Sequence, residues 1–199
     1  MKNKTSLTKD AILKDPYNYT LKEMKDCLGE EMATDFFESL YKNKPKIQNQ
    51  TVKIKEVFNG KDTLKYAFEL SDGYCIETVC IKRKTGITVC VSTMVGCPVG
   101  CIFCASGKNG FIRNLSSSEI VQQIVLLKEK VNRIVFMGMG EPLLNYGEVI
   151  KAIHILRDRN GLNFPTDGIT ISTVGPINQL KKLREEHLKI QLTLSLHAT

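Results

Sequence analysis

The chain has 199 residues, of which 42% are apolar, with 28 Lys and Arg against 21 Asp and Glu, and this excludes a disordered chain and a small disulfide scaffold. No run of 18 apolar residues and no apolar N-terminal core is present, so we expect a cytoplasmic protein without a membrane partner or a secretory signal. The +7 charge is spread at +3 over 1–65, zero over 66–85 and +4 over 86–199, so charge alone does not assign nucleic-acid binding.

Two helices are the first predicted elements. Apolar residues recur at helical spacing over 21–28, the pattern stops at Gly29, and a broader apolar stripe follows over 32–41. Pro45 closes this segment. We therefore expect residues 1–48 to form an N-terminal helical region.

The apolar period then changes to two, which predicts β-strands. Strands are expected over 52–57, 64–70, 74–81 and 87–92. Asn59-Gly60 is a hairpin signal, and a second turn is expected over 71–73. Residues 49–86 are thus predicted as antiparallel strands that link the helices to the core.

Strands and helices alternate after residue 86. Strands are predicted over 134–137, 169–173 and 190–196, and helices from 116, over 146–158 and over 176–186. Ser116 and Glu119 can form a capping box at the start of the first helix. This alternation predicts right-handed crossovers and about four parallel strands, which is half of a (β/α) barrel.

The last predicted strand has no helix to cover it. An exposed parallel edge with apolar side chains promotes aggregation. We therefore expect either a partner on this edge or a longer protein of which residues 87–199 are a partial barrel ending at its fourth strand.

Three cysteines follow the first parallel strand within eight residues. Cys97, Cys101 and Cys104 have C-x3-C-x2-C spacing, which can hold three irons of a [4Fe–4S] cluster and leave the fourth without a protein ligand. The amino and carboxylate groups of S-adenosylmethionine can chelate that iron, and an electron from the cluster can then cleave a sulfur–carbon bond to give a 5′-deoxyadenosyl radical.

Two other interpretations of this loop stay open. A structural zinc site prefers four ligands in two CxxC pairs, and the sequence has no second pair. Cysteine thiols are also often buried as packing residues in a core, but three cysteines in one loop that contains Gly and Pro rarely have that role.

Phe103, before the third cysteine, completes a loop that resembles the radical-SAM signature. Further segments are similar in order and spacing to the RlmN/Cfr family of radical-SAM methyltransferases, which methylate adenine carbons of 23S rRNA. These segments are 77–79, 90–92, 95–97, 110–115, 137–143, 171–175 and 195–198. The similarity covers residues 64–199 and extends weakly to 36–42. The resemblance implies an α/β fold, in which an incomplete radical-SAM barrel follows a small α+β N-terminal domain.

The resemblance also implies a cofactor site at the carboxyl ends of the strands, where parallel α/β folds bind ligands. Phe103 is expected near the adenine of S-adenosylmethionine, and Glu141 with Pro142 near its methionine part. Pro142 also resembles the C2-methylating branch of the family rather than the C8-methylating branch. The remaining implied cofactor contacts are Gly140, Ser172, Ser195, Leu196 and His197.

Two residues are implied to act on the RNA. Glu77 matches the proton acceptor that removes a proton from the tetrahedral C2 carbon, and Cys90 matches the thiol that resolves a protein–RNA crosslink through a transient disulfide. Without the resemblance, Glu77 is an exposed strand carboxylate and Cys90 a buried structural thiol. None of the seven cysteines matches the family's methyl-carrying cysteine.

The resulting hypothesis is a truncated or split RNA methyltransferase. Its implied partners are 23S rRNA or tRNA, a one-electron reductant such as flavodoxin, and a separately encoded C-terminal half. Arg113 is a candidate phosphate contact. The alternatives are a small radical-SAM enzyme without methyl-cysteine chemistry and an inactive iron–sulfur or RNA-binding remnant.

Overall fold

The computed structural model describes residues 7–42, 50–108 and 110–196. The helices are α1 (Lys9–Lys14), α2 (Leu21–Leu28), α3 (Glu30–Lys42), α4 (Ala105–Lys108), α5 (Ser117–Val125), α6 (Tyr146–Arg157) and α7 (Ile177–Glu185). The strands are β1 (Val52–Asn59), β2 (Thr63–Leu70), β3 (Cys75–Arg83), β4 (Gly86–Val91), β5 (Met94–Gly96), β6 (Phe111–Asn114), β7 (Val131–Phe136), β8 (Ile169–Thr173) and β9 (Gln191–Leu194). No described helix combines the length and apolarity that crossing a bilayer requires.

One seven-stranded sheet joins the two predicted halves of the chain, in the order β1-β2-β3-β4-β7-β8-β9. The strands β1 to β4 are antiparallel, and β4, β7, β8 and β9 are parallel. The four parallel strands and the three intervening helices confirm the predicted α/β class. β4 belongs to both halves, because it pairs with β3 on one side and with β7 on the other.

Alternation along the strands separates a buried face from an open face. Val89, Val91, Ile134, Phe136 and Ile171 are buried in a core shared with α5 and α6. Residues between them point to the opposite face, since successive side chains of a strand alternate. Thr88, Cys90, Val135 and Thr170 lie on this open face and are half-buried.

The N-terminal helices pack against the first turn of α5. Ser117 Oγ donates to Asn18 Oδ1 at 2.6 Å, and Ser118 Oγ donates to Asp15. Phe37 and Tyr41 of α3 pack in the adjoining core with ring centroids 4.7 Å apart and the ring planes tilted by 55°. A capping box begins α5 at Ser116, as the sequence predicts.

A second sheet, which consists of β5 and β6, was not predicted from the sequence. β5 pairs antiparallel with β6, so that Met94 lies opposite Asn114 and Gly96 opposite Phe111. The two strands have three and four residues, which is too short for a periodic pattern to be recognised. This small ladder closes the base of the cysteine loop.

Candidate functional site

A cavity of about 160 Å³ lies at the carboxyl ends of the parallel strands, where the sequence predicts a cofactor site. Its lining comes from three parts of the chain: the cysteine loop, the segment after β7, and the ends of β8 and β9. The lining residues are Cys97, Val99, Cys101, Phe103, Cys104, Ser106, Met137, Gly138, Gly140, Glu141, Ser172, Thr173, Val174 and Ser195.

The cysteine loop is tied at its base by backbone hydrogen bonds. The Cys97 N–H donates to the carbonyl oxygen of Gly110 at 2.9 Å, and within the loop the Cys104 N–H donates to that of Cys101 at 3.0 Å. Gly96 has φ +75°, and a Cβ there would lie 1.9 Å from the Gly110 oxygen. A residue with a side chain would therefore prevent the two ends of the loop from meeting.

The three loop thiols are half-buried and free of disulfides. Burial raises the pKa of Cys97, the nearby Cys101 and Cys104 raise it further, and a hydrogen bond from the Val99 backbone opposes the shift. All three cysteines line the same cavity.

The donor set fits an iron–sulfur cluster. Within the described residues, no three His, Cys, Asp or Glu side chains converge on the position of one metal ion. A [4Fe–4S] cluster does not require such convergence, because each thiolate binds a different iron. Cys97, Cys101 and Cys104 would hold three irons and leave the fourth facing the cavity.

Glu141 supplies a buried carboxylate to the cavity and is only 4% exposed. Its Oε1 accepts from the Leu143 N–H at 3.0 Å and from Thr173 Oγ1 at 2.6 Å. Its Oε2 accepts from the Val174 N–H at 2.9 Å. These three donors satisfy a carboxylate that would otherwise be costly to bury. They also fix the orientation of the carboxylate group.

Ser172 and Ser195 bring β8 and β9 together at the cavity, with their hydroxyl oxygens 3.0 Å apart. Gly140 approaches from the segment after β7 with φ +101°, and a Cβ there would lie 2.6 Å from that of Met94. The glycine thus lets this segment pack against β5. Eight of the predicted site residues line this one cavity: Cys97, Cys101, Phe103, Cys104, Gly140, Glu141, Ser172 and Ser195.

Two further residues that were predicted to contact the cofactor do not line the cavity. Pro142 is buried at the start of a short 3₁₀ turn and does not line the cavity. Leu196 is 78% exposed and is also outside the lining. His197 lies outside the described residues.

Glu77 and Cys90 share the open face of the sheet beside this cavity. Val79, two residues after Glu77, lies opposite Cys90, so both side chains point the same way. Lys65 Nζ lies 2.8 Å from Glu77 Oε1. Burial raises the pKa of the Cys90 thiol to about 11, although a hydrogen bond from the Met137 N–H partly offsets the effect.

The structure adds a buried amide that sequence reasoning missed. Gln123 Oε1 accepts from Thr78 Oγ1 at 2.7 Å and from the Ser92 N–H at 2.8 Å, while Ser92 Oγ donates to the Glu77 carbonyl and accepts from the Met139 N–H. This network joins the strand that carries Glu77 to the segment that carries Glu141. Nothing in the sequence distinguishes Gln123 from an exposed helical glutamine.

The prediction that Arg113 contacts phosphate is not supported by its surroundings. Its guanidinium donates to Asp72 at 2.6 Å, to both Glu119 carboxylate oxygens at 2.8 and 2.9 Å, and to the Asn114 carbonyl. Two carboxylates therefore compete with any phosphate. Cys75 lies outside the cavity lining: it is exposed, and Lys55 Nζ lies 3.6 Å from its sulfur.

Comparisons with known proteins agree with this geometry. A relative from Rhodopseudomonas palustris, named probable RNA methyltransferase, is 62% identical over 140 residues, which are 70% of this chain and 39% of the relative. Relatives from Dictyoglomus turgidum and Thermotoga maritima, both named probable dual-specificity RNA methyltransferase RlmN, are 46% and 49% identical. Their matches cover 75% and 72% of this chain, but 45% and 43% of the relatives.

A solved structure gives the same result for the fold. The crystal structure of a radical SAM methyltransferase from Sphaerobacter thermophilus superposes with a TM-score of 0.85 at 31% identity, over 92% of this chain and 63% of that one. The chain spans less than half the length of the three RNA methyltransferase relatives described above. The model of the radical SAM superfamily matches residues 91–199. Because that match covers more than half of the sequence, the chain belongs to the radical SAM superfamily, and within it the chain is similar to relatives named RlmN.

Proposed function

We propose that this chain is the cluster-binding and cofactor-binding part of an RNA methyltransferase that modifies C2 of an adenine in 23S rRNA or tRNA. The observation that carries the proposal is the shared cavity of three loop thiols and the buried Glu141 carboxylate. The names of the relatives support RNA as the substrate.

The residues of the cavity divide between two tasks. Cys97, Cys101 and Cys104 hold a [4Fe–4S] cluster, which when bound supplies one electron to S-adenosylmethionine. Glu141 accepts hydrogen bonds from the amino group of that cofactor, because its buried charge and fixed direction suit an ammonium ion. Ser172 and Ser195 contact the cofactor from the ends of β8 and β9.

Glu77 and Cys90 act on the RNA from the open face. A proton must leave the tetrahedral carbon before the adenine ring regains aromaticity, and Glu77 accepts it. Cys90 resolves the protein–RNA crosslink. Its thiolate attacks the sulfur of the methyl-carrying cysteine, a disulfide forms as the bond between that sulfur and the methylene carbon breaks, and the methylene carbon takes up the electron pair and a proton to become the methyl group. No described cysteine has an assigned methyl-carrier role.

We further propose that the remaining barrel strands, which include the methyl-carrying cysteine, pack on β9. Leu192 and Leu194 of this strand are each 50% exposed. A flavodoxin-like protein supplies the electron.

Anaerobic reconstitution with iron and sulfide tests the proposal. The reconstituted chain should absorb in the visible range and, with dithionite and S-adenosylmethionine, release 5′-deoxyadenosine. Cys101→Ala should lose both signals. The matched control Cys75→Ala, which removes an exposed thiol outside the cavity, should keep them.

The methyl-transfer step needs its own measurement. RNA methylation should require a co-expressed polypeptide with the remaining strands, and the product should be 2-methyladenosine by mass spectrometry. Deoxyadenosine release without RNA methylation in that complex would favour a small radical-SAM enzyme of another kind. Bound iron without cofactor cleavage would favour an inactive remnant.

A further inference from the structure

Three turns at the amino ends of the parallel strands carry a cluster of positive charge. We call residues 59–63, 82–86 and 128–133 the basal rim. The Lys82 N–H donates to the Asp62 carbonyl at 2.8 Å, and Asn132 Oδ1 accepts from the Ile87 N–H at 2.8 Å, so the three turns are adjacent. The rim cations are Lys61, Lys82, Arg83, Lys84, Lys128, Lys130 and Arg133, and all seven are exposed.

Folding concentrates a charge that is spread along the sequence. The basal rim holds seven of the 28 cations and only two of the 21 carboxylates, Asp62 and Glu129. Its formal charge is therefore +5, which leaves +2 for all other residues. The positive excess of the chain is thus concentrated on one end of the sheet, opposite the cavity.

The rim cations have no carboxylate partners within the described residues. None of the ion pairs of the described residues involves the seven rim cations; those pairs engage Lys25, Lys42, Lys55, Lys65, Arg113 and Lys151. Glu129 accepts a hydrogen bond from the Tyr66 hydroxyl at 2.6 Å. Unpaired, exposed cations release counterions when they bind phosphates, which favours association with nucleic acid.

We propose that the basal rim binds the phosphate backbone of a folded RNA, an inference that rests on the proposed RNA methyltransferase function. The turns sit at the ends of β1/β2, β3/β4 and β7, and at about 4.8 Å between strands they form a row about 17 Å long. No large apolar side chain in the three turns is exposed. The rim therefore lacks the apolar residues by which amphipathic surfaces insert into membranes.

The position of the rim defines the size of the RNA. β4 has six residues, so the rim lies about 20 Å from the cavity along the sheet at about 3.3 Å per residue. A base that enters the cavity and a phosphate on the rim must belong to one RNA that spans this distance. The RNA must therefore be long enough to reach from the cavity to the opposite end of the sheet.

Salt-dependent RNA binding tests this inference. The probe is a fluorescein-labelled folded tRNA, titrated with the full chain over a range of salt concentrations. In the triple variant Lys82→Gln, Arg83→Gln, Lys84→Gln, the slope of log K against log salt should fall by about one per lost phosphate contact, two to three in all. The matched control Lys181→Gln, Lys182→Gln, Arg184→Gln removes three exposed charges from α7 and should keep the slope.

Each other outcome has a defined meaning. Equal losses in both triple variants would overturn the inference, because net charge rather than the rim would then govern binding. So would a loss of binding to phosphatidylserine vesicles without a loss of tRNA binding, which would indicate a membrane surface. Circular dichroism checks folding, and the pair Lys128→Gln, Lys130→Gln provides an independent test of the rim.

The experiment also separates this inference from the proposed function. Release of 5′-deoxyadenosine should be the same in the rim variant and the unmodified chain, because the rim is remote from the cavity. Cofactor cleavage with an unchanged salt slope in the rim variant would refute the rim alone. Absence of cleavage by the unmodified chain would refute the proposed function while the binding data remained interpretable.

Discussion

At the scale of single residues, Glu141 links the electrostatics of the cavity to its construction. Its two oxygens accept three hydrogen bonds, from the Leu143 N–H, Thr173 Oγ1 and the Val174 N–H. Thr173 Oγ1 in turn accepts from the Gly175 N–H at 3.0 Å, so that its proton points to Glu141. The carboxylate is therefore held by the ends of β7 and β8 together.

Glu141→Gln should weaken both the fold and cofactor binding. The new amide NH₂ would face a backbone N–H or the Thr173 hydroxyl, and an unmade buried hydrogen bond costs about 1–3 kcal/mol. We expect a lower free energy of unfolding in urea and a higher Kd for S-adenosylmethionine by equilibrium dialysis of the reconstituted chain. The exposed control Glu185→Gln should change neither. An unchanged Kd in Glu141→Gln would contradict the assigned contact.

Cys90 makes a prediction about pH. Because burial raises the pKa of its thiol to about 11, Cys90 is protonated at neutral pH, whereas alkylation requires the thiolate. Its rate of reaction with iodoacetamide should therefore rise about tenfold per pH unit from about pH 8 to about pH 10. Peptide mass spectrometry follows each cysteine separately. A rate that reaches a plateau below about pH 9 would show that the thiol is not shielded as described.

At the scale of elements, Arg113 connects three parts of the chain. It belongs to β6, which closes the cysteine loop against β5, and it pairs with Asp72 in the β2–β3 turn and with Glu119 in the first turn of α5. Glu119 is 5% exposed and also caps α5. The cysteine loop is thus attached to the helical layer through one guanidinium.

Replacing Arg113 with Ala should loosen the cysteine loop. It leaves the buried Glu119 carboxylate without its bidentate partner, at a cost of about 1–3 kcal/mol because the guanidinium is partly exposed. We expect a lower urea midpoint and faster loss of iron on anaerobic gel filtration, with only partial recovery in Arg113→Lys, which cannot form the fork. The control Arg184→Ala changes an exposed arginine of α7. Equal iron retention in Arg113→Ala and Arg184→Ala would argue against the attachment.

The elements that the sequence could predict are those with long periodic patterns. The alternation after residue 86 indicated four parallel strands, because β4, β7 and β8 have five or six residues and α5, α6 and α7 have nine to twelve, which is enough for a period to be recognised. The β5–β6 ladder was missed, since its strands are short and its register depends on the contact between Gly96 and Gly110. The role of Arg113 was also missed, because Asp72 is 41 residues away and only the fold brings it near. The charged rim follows the same rule, as its three turns are separated in sequence.

At the scale of the whole molecule, the two edge strands of the sheet, β1 and β9, differ in charge. β1 pairs only with β2 and carries Lys53 and Lys55, which discourage pairing with another strand. β9 pairs only with β8 among the described strands and carries no charged residue, and its Leu192 and Leu194 are each 50% exposed. Leu196 beyond it is 78% exposed. This difference makes β9 the edge on which we expect the remaining barrel strands to pack.

The uncovered edge predicts how the chain behaves alone. An apolar strand edge with unpaired backbone groups promotes association between copies, so sedimentation velocity should show an average mass that rises above 22.4 kDa with concentration. Leu192→Lys should shift the chain toward the monomer, because a charge on an edge strand opposes edge-to-edge pairing. The control Met32→Lys places the same charge on α3, where Met32 is 54% exposed, and should leave association unchanged. A co-expressed polypeptide with the remaining barrel strands should suppress association of the unmodified chain and fail to copurify with Leu192→Lys. Equal association in both lysine variants would remove β9 as the docking edge.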